Sequence, residues 1–251
     1  MTETTRLWAA AMIAGFRAMG AAQYAEAARH WLSARTALGD VSAGDPRKAA
    51  TETNAGVAHA LLGDAAEASA ALANAEQRWM TLLGRVQSAD VPVAVGSSSF
   101  HFRLAAENTE AFQSMQRKRL TRQCEAGLAI TRFNRLAAGS SSAAAGDGVA
   151  LTLASLLSEI LGSYSPEVKL LRTSTLGEEA APDNRPYAEK AAQLESRLRD
   201  MPDRNDGEGW DLLEGAVAFT ALMRLGLCDD PTAVRTTKAE SPFASCTLPS
   251  F

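Results

Sequence analysis

Apolar residues recur with helical spacing along most of this chain. Between positions 208 and 226, for example, Leu212, Ala216, Phe219 and Met223 lie three or four residues apart and would share one face of a helix. Similar patterns predict eight further helices before this one. The predicted helices are 5–19, 22–38, 47–62, 65–83, 100–137 with one break, 148–162, 166–173, 186–200 and 208–226.

Local chemistry marks several of the predicted helix ends. Asp45 precedes Pro46, an arrangement that puts a capping carboxylate before a proline in the first helical position. Gly63 can supply a left-handed turn, and Asp64 with Glu67 has the spacing of a capping box, so a tight turn between two helices is predicted there. Further predicted starts are Ser165-Pro166 and Arg185-Pro186, and further predicted ends are Gly39, Gly162 and Gly226.

Segments rich in Gly, Ser, Pro and Asp separate the predicted helices and are expected to be loops. They are 84–99, 138–147, 174–185 and 201–207. The stretch from Gly139 to Gly148, GSSSAAAGDG, is the most linker-like of them and is the best candidate for a boundary between subdomains. This divides the chain into a helical hairpin region at 1–138, a second helical region at 148–228 that packs on it, and a tail at 229–251.

The composition agrees with an all-α fold. Apolar residues make up 46% of the chain but aromatic residues only 6%, and alanine is very frequent, which favours closely packed helices over sheets. At 251 residues the chain is long enough to bury a sizeable core. We therefore predict an all-α protein of stacked antiparallel hairpins, completed by C-terminal helices and an irregular tail.

Small residues recur at related positions in the first four predicted helices. Gly15 and Gly56 lie 41 residues apart, and so do Ala27 and Ala68. The first set is Ala11, Ala14, Gly15, Ala18, Tyr24, Ala27, Trp31 and Ala34, and the second is Ala55, Gly56, Gly63, Asp64, Ala68, Leu72 and Ala75. This pattern resembles the tetratricopeptide family over about residues 8–82, although the family repeats every 34 residues and carries a Trp and a Leu in its first helix. The resemblance implies a right-handed array of hairpins.

The same resemblance implies a peptide-binding groove lined by the first helix of each hairpin. The groove-facing candidates are Met12, Phe16, Met19, Thr53 and Val57. None is charged, so the groove would suit a hydrophobic segment of another protein, with methionine supplying adaptable contacts. The alternative is that later helices of the same chain cover this surface.

One dense basic run stands out at positions 116–122, QRKRLTR. Its candidates for a basic binding face are Arg117, Lys118, Arg119 and Arg122. Residues 100–139 carry seven positive charges against three negative, whereas residues 175–215 carry eleven acidic residues against five basic. Such asymmetry can orient a partner, and its ordinary alternative is a solvated helix face.

The tail after position 228 has neither helical nor strand periodicity. The tail contains three large apolar residues, Phe243, Leu248 and Phe251. We predict that they dock into a groove, so that the tail acts as an attachment arm. Docking onto the chain's own core is the alternative.

No catalytic, metal-binding or cofactor-binding signature emerges from the sequence. The three histidines, His30, His59 and His101, offer little material for a metal site, and phosphate-binding and nucleophile motifs are missing. Three scattered cysteines suggest a reducing, cytoplasmic setting, and no apolar stretch approaches the roughly 20 residues of a membrane span. We expect no metal and no cofactor.

These observations predict a non-catalytic protein-protein interaction module, such as an adaptor, an assembly factor or an accessory subunit. Its partner would be another protein or a further copy of the chain. Two alternatives remain open: a helical enzyme or ligand carrier with an apolar pocket lined by Trp31, Trp79, Phe102 or Trp210, and a nucleic-acid regulator using the basic run. A formal net charge of −4 counts against nucleic acid.

Overall fold

In a computed structural model, the chain is described at residues 3–39, 41–88, 109–139, 143–175, 183–200, 210–224 and 227. These residues form nine α-helices and no β-strand, which confirms the predicted all-α class. The helices are α1 (Glu3–Gly20), α2 (Tyr24–Leu38), α3 (Pro46–Leu61), α4 (Ala65–Gln87), α5 (Thr109–Gly139), α6 (Ala143–Leu161), α7 (Pro166–Thr175), α8 (Arg185–Asp200) and α9 (Trp210–Ala218).

The predicted helix ends depend on local chemistry and are mostly confirmed. The Asp45 carboxylate accepts a hydrogen bond from the Arg47 backbone N–H at 2.9 Å, and Pro46 is the first residue of α3. Gly63, between α3 and α4, has a φ of 79°, a left-handed conformation that other residues adopt only with strain. The predicted capping box is wrong, because the Asp64 side chain caps no backbone N–H of α4 and lies instead 3.7 Å from His59 Nδ1.

The predicted loop at 138–147 is also wrong. Helix α5 continues to Gly139 and α6 already begins at Ala143, so most of this stretch is helical. The three alanines at 143–145 have the highest helix propensity of any residue type, and they outweigh the Gly and Ser residues around them. The break predicted within 100–137 does not occur from Thr109 onward, where α5 is one continuous helix.

Each helix from α1 to α7 packs against the next one along the chain, and α8 returns to pack against α1. At this closing contact Arg17 of α1 forms a salt bridge with Glu195 of α8 at 2.5 Å. Beside it, Asn184, just before α8, donates a hydrogen bond to the hydroxyl of Tyr24 of α2 at 2.8 Å. Helix α9 packs against α3 and α5. The array therefore closes on itself, which an open repeat stack does not do.

In each of the first two hairpins, a glycine allows the two helices to pack closely. The equivalent positions of Gly15 and Gly56 in the sequence predict this. A Cβ atom on Gly15 of α1 would lie 2.1 Å from Trp31 Nε1 of α2. A Cβ atom on Gly56 of α3 would lie 2.5 Å from Leu72 Cγ of α4. Trp31 and Leu72 are themselves 41 residues apart, so both members of each contact keep the predicted spacing.

The last predicted helix is shorter than its apolar pattern suggests. Helix α9 ends at Ala218, and residues 219–224, here called the central segment, are not helical. Phe219, Thr220, Ala221, Leu222 and Met223 are all buried. Side chains from other helices bond the backbone of this segment, which removes the advantage that helical hydrogen bonds would otherwise give it.

Candidate functional site

Two asparagine side chains bond the odd-numbered residues of the central segment. Asn54 of α3 donates from Nδ2 to the Phe219 carbonyl at 2.9 Å and accepts from the Ala221 N–H at 2.7 Å. Asn134 of α5 donates to the Ala221 carbonyl at 2.7 Å and accepts from the Met223 N–H at 2.7 Å. Each carboxamide thus satisfies one backbone acceptor and one backbone donor that would otherwise be buried without a partner.

Helix α8 bonds the even-numbered residues of the same segment. Lys190 Nζ donates to the Thr220 carbonyl at 2.9 Å, and the Tyr187 hydroxyl donates to the Leu222 carbonyl at 2.9 Å. The same hydroxyl accepts from the Arg224 N–H at 3.1 Å. The central segment therefore bonds through alternate residues to opposite sides, as a β-strand does, but helix side chains provide the partners.

A buried ion pair supports the α8 side of this arrangement. Lys190 pairs with Glu167 of α7, and their side chains are only 5% and 6% exposed. Lys190 Nζ also lies 5.0 Å from the centre of the Phe16 ring, within the range of a cation-π contact. The charge of Lys190 is therefore matched by a carboxylate, a carbonyl and an aromatic face.

The five groove-facing candidates all lie inside the core, and this surface is not open to a partner. Met12, Phe16, Met19, Thr53 and Val57 are each 0% exposed. Later parts of the chain cover them, as the alternative interpretation expected. Lys190 of α8 lies over Phe16, and Thr53 shares a 2.9 Å hydrogen bond with Thr131 of α5. Asn54, next to Thr53 on α3, is bonded to the central segment.

The four basic-face candidates lie together on the surface. Arg117, Lys118, Arg119 and Arg122 of α5 are exposed and line a cleft of about 1220 Å³ between α5, the end of α4 and the end of α6. We call this the basic cleft. Its other lining residues are Val86, Gln87, Ser114, Met115, Thr121, Gln123, Glu125, Glu159 and Ile160.

The two ends of α5 use their cations differently. Near its C-terminal end, Arg132 and Arg135 both bond the Glu76 carboxylate of α4, at 2.8 and 3.0 Å. Within the described part of the chain, no such carboxylate pairs with Arg117 or Arg122. The C-terminal cations of α5 join two helices, whereas these N-terminal cations face solvent.

Several other predicted residues do not form an accessible site or cannot be placed. Trp31 and Trp79 are fully buried, and their indole N–H groups donate to the Met12 carbonyl and the Thr53 hydroxyl. They therefore line no open pocket. The tail residues Phe243, Leu248 and Phe251, together with Phe102 and the Trp210 side chain, lie outside the described residues.

Cys124 and His30, which lie outside the basic cleft, are in environments that are common in folded proteins. Burial raises the pKa of the Cys124 thiol to about 12, with the nearby charge of Glu125 adding to the effect. His30 lies 3.2 Å from Glu26 one helical turn away. Within the described ranges, no cluster of His, Cys, Asp and Glu could hold a metal ion, and no helix is long and apolar enough to cross a membrane.

The four basic residues of the cleft were identified from the sequence, but the residues around the central segment were missed. Asn54, Asn134, Tyr187 and Lys190 are each separated by 30 or more residues from the backbone groups they bond. The one available signal was the position of Asn54 and Asn134 on faces otherwise occupied by small or apolar residues. Comparisons with protein-family models, with curated proteins and with solved structures find no match.

Proposed function

We propose that this protein is a non-catalytic interaction module that binds a partner protein at the basic cleft. The observation that carries the proposal is the exposure of Arg117, Lys118 and Arg122 along a cleft that also exposes Met115. Unpaired cations beside an exposed apolar side chain are typical of surfaces that meet another macromolecule.

The occupied interior of the array supports this choice of surface. The residues that would line the groove suggested by the tetratricopeptide resemblance are buried, and Asn54, next to Thr53 on α3, is bonded to the central segment. A partner peptide could not enter it without displacing the bonds to Asn54, Asn134, Tyr187 and Lys190. The basic cleft needs no such displacement.

The first two hairpins belong, in this proposal, to a tetratricopeptide-like array that has been closed by additional helices. The shared 41-residue spacing of the Gly15–Trp31 and Gly56–Leu72 contacts supports the repeat relationship. Closure by α8 then explains why partner binding would use an outer cleft rather than the inner groove. Roles as an adaptor, an assembly factor or an accessory subunit are compatible with such a surface.

Affinity capture with matched charge variants tests the proposal. The full-length protein, Arg117→Gln/Arg122→Gln and the control Arg197→Gln/Arg199→Gln would each be used to capture proteins from native extract of the source cells. Arg197 and Arg199 are exposed on α8, so the control removes the same charge elsewhere. We expect one protein to be captured by the parent and the control but lost with the cleft variant. Equal capture by all three would contradict the proposal.

A further inference from the structure

We infer that the partner segment bound by the basic cleft is acidic and also carries an apolar side chain. This inference rests on the proposed function and specifies the chemistry of its partner. The positively charged groups and the apolar groups of the cleft each contribute a separate requirement.

The cations require a negatively charged segment. Lys118 and Arg122 lie four residues apart on α5 and therefore project from the same side of the helix, with Arg117 beside them. All three are exposed. Glu125 and Glu159 also line the cleft, so the charge is concentrated at the Arg117 to Arg122 portion rather than spread along it. A short run of carboxylates fits this distribution better than a long uniform polyanion.

An exposed methionine requires an apolar side chain. Met115 is 57% exposed and precedes Lys118 by three residues, so it lies on the same side of α5 as the cations. Ile160 of α6, which is partly buried, lines the same cleft. A leucine or similar apolar side chain bound next to Met115 and Ile160 would be transferred out of water, which is favourable. The flexible Met115 side chain can adjust to the shape of the bound residue.

The size of the cleft favours a polypeptide over a small molecule. Its volume of about 1220 Å³ exceeds the roughly 300–1,000 Å³ common for small-molecule pockets. Nucleic acid is less suitable because single strands are usually held by stacking on aromatic rings, and no described residue lining the cleft is aromatic.

Fluorescence anisotropy with three labelled probes tests the inference on the full-length protein. The probes are a glutamate-rich peptide with one central leucine, the same peptide with serine replacing leucine, and a thymidine oligonucleotide of equal length. We expect the leucine peptide to bind about tenfold more tightly than the serine peptide. Met115→Gln should remove most of that difference, and Arg117→Gln/Arg122→Gln should weaken both peptides at least tenfold. Arg197→Gln/Arg199→Gln should weaken neither.

Three outcomes would overturn the inference: tighter binding of the oligonucleotide than of the leucine peptide, equal binding of both peptides, or binding of no probe. If no acidic peptide binds while capture from extract still depends on Arg117 and Arg122, the inferred chemistry is wrong and the proposed function stands. If neither binding nor capture depends on these arginines, both are wrong. Circular dichroism of each variant would establish that it is folded before binding is compared.

Discussion

Asn54 and Asn134 hold the same residue of the central segment from two sides. Asn54 Oδ1 accepts from the Ala221 N–H, and Asn134 Nδ2 donates to the Ala221 carbonyl, each at 2.7 Å. The two asparagines come from α3 and α5, which also share the Thr53–Thr131 hydrogen bond. The central segment therefore joins the first hairpins to the later helices.

Replacement of Asn54 by Leu should destabilise the protein substantially. The substitution removes the partners of the Phe219 carbonyl and the Ala221 N–H, both within a buried segment. Each of these two unsatisfied buried groups costs about 1–3 kcal/mol, so we expect a loss of about 2–6 kcal/mol in the free energy of unfolding, measured by urea denaturation. Asn74→Leu, at an exposed position of α4, is the control and should change stability by less than about 0.5 kcal/mol.

Replacing a glycine by alanine should have opposite effects on stability inside and outside the two close helix contacts. Gly15→Ala and Gly56→Ala would place a methyl group against Trp31 and Leu72, and we expect each to lower stability by about 1–3 kcal/mol. Gly84→Ala in α4 meets no atom within 4 Å and should instead raise stability by about 0.5–1 kcal/mol. Thermal melts measure all three. Equal effects at the three positions would mean that Gly15 and Gly56 are not close-contact sites.

Helix ends were predictable to the extent that neighbouring residues determine them. Asp45, Pro46 and Gly63 act within one turn of their own positions, so their chemistry can be recognised in the sequence. The central segment could not be recognised in this way. Its apolar residues have helical spacing, but the side chains that hold it lie 30 or more residues away, and Asn54 lies 165 residues from Phe219. Long-range hydrogen bonds here override a local pattern.

The candidate site was partly predictable for the same reason. Arg117, Lys118, Arg119 and Arg122 lie on one helix, so their proximity follows from the sequence. The contribution of Ile160 depends on how α6 packs against α5 and could not be foreseen. The inward-facing positions such as Met12 and Phe16 were identified, but their covering by α8 and the central segment is a tertiary property.

Cys124 should be unreactive while the protein is folded. Burial is the main cause that raises the pKa of its thiol to about 12 from the ordinary 9.0, so almost no thiolate forms near neutral pH. In a Cys228→Ser/Cys246→Ser background, we expect iodoacetamide to modify Cys124 only after denaturant is added, as followed by intact mass. Rapid modification of the folded protein would show that the thiol is accessible.

The same pKa shift predicts how stability depends on pH. The contribution of the protonated Cys124 thiol to stability is fully present below pH 9 and decreases as the pH rises from 9 towards 12. It decreases because the Cys124 thiol ionises at a lower pH in the unfolded chain than in the folded protein. Cys124→Ala should remove this part of the alkaline decrease. Urea unfolding of both proteins across this range measures the difference.

The lowered pKa of Glu76 predicts that stability increases with pH in the acid range, opposite in sign to the effect of Cys124. Its hydrogen bond with Arg132, followed by that with Arg135, holds the pKa of the carboxyl below its ordinary value of 4.5. The stability it contributes is present above pH 4.5 and is lost as the pH falls through the lowered pKa. Because both arginines are about half exposed, we expect Glu76→Gln to cost only about 1 kcal/mol at neutral pH and little at low pH. A cost that persists unchanged at low pH would contradict this ionic role.

Site-specific photocrosslinking shows whether a partner protein binds at the basic cleft. A photoreactive phenylalanine analogue would replace Met115 in one protein and Leu151 in another, since the two side chains are 57% and 58% exposed but only Met115 lines the cleft. After irradiation in the source cells, we expect one specific crosslinked partner from position 115 and none from position 151. The same partner crosslinked equally from both positions, or from position 151 alone, would contradict it.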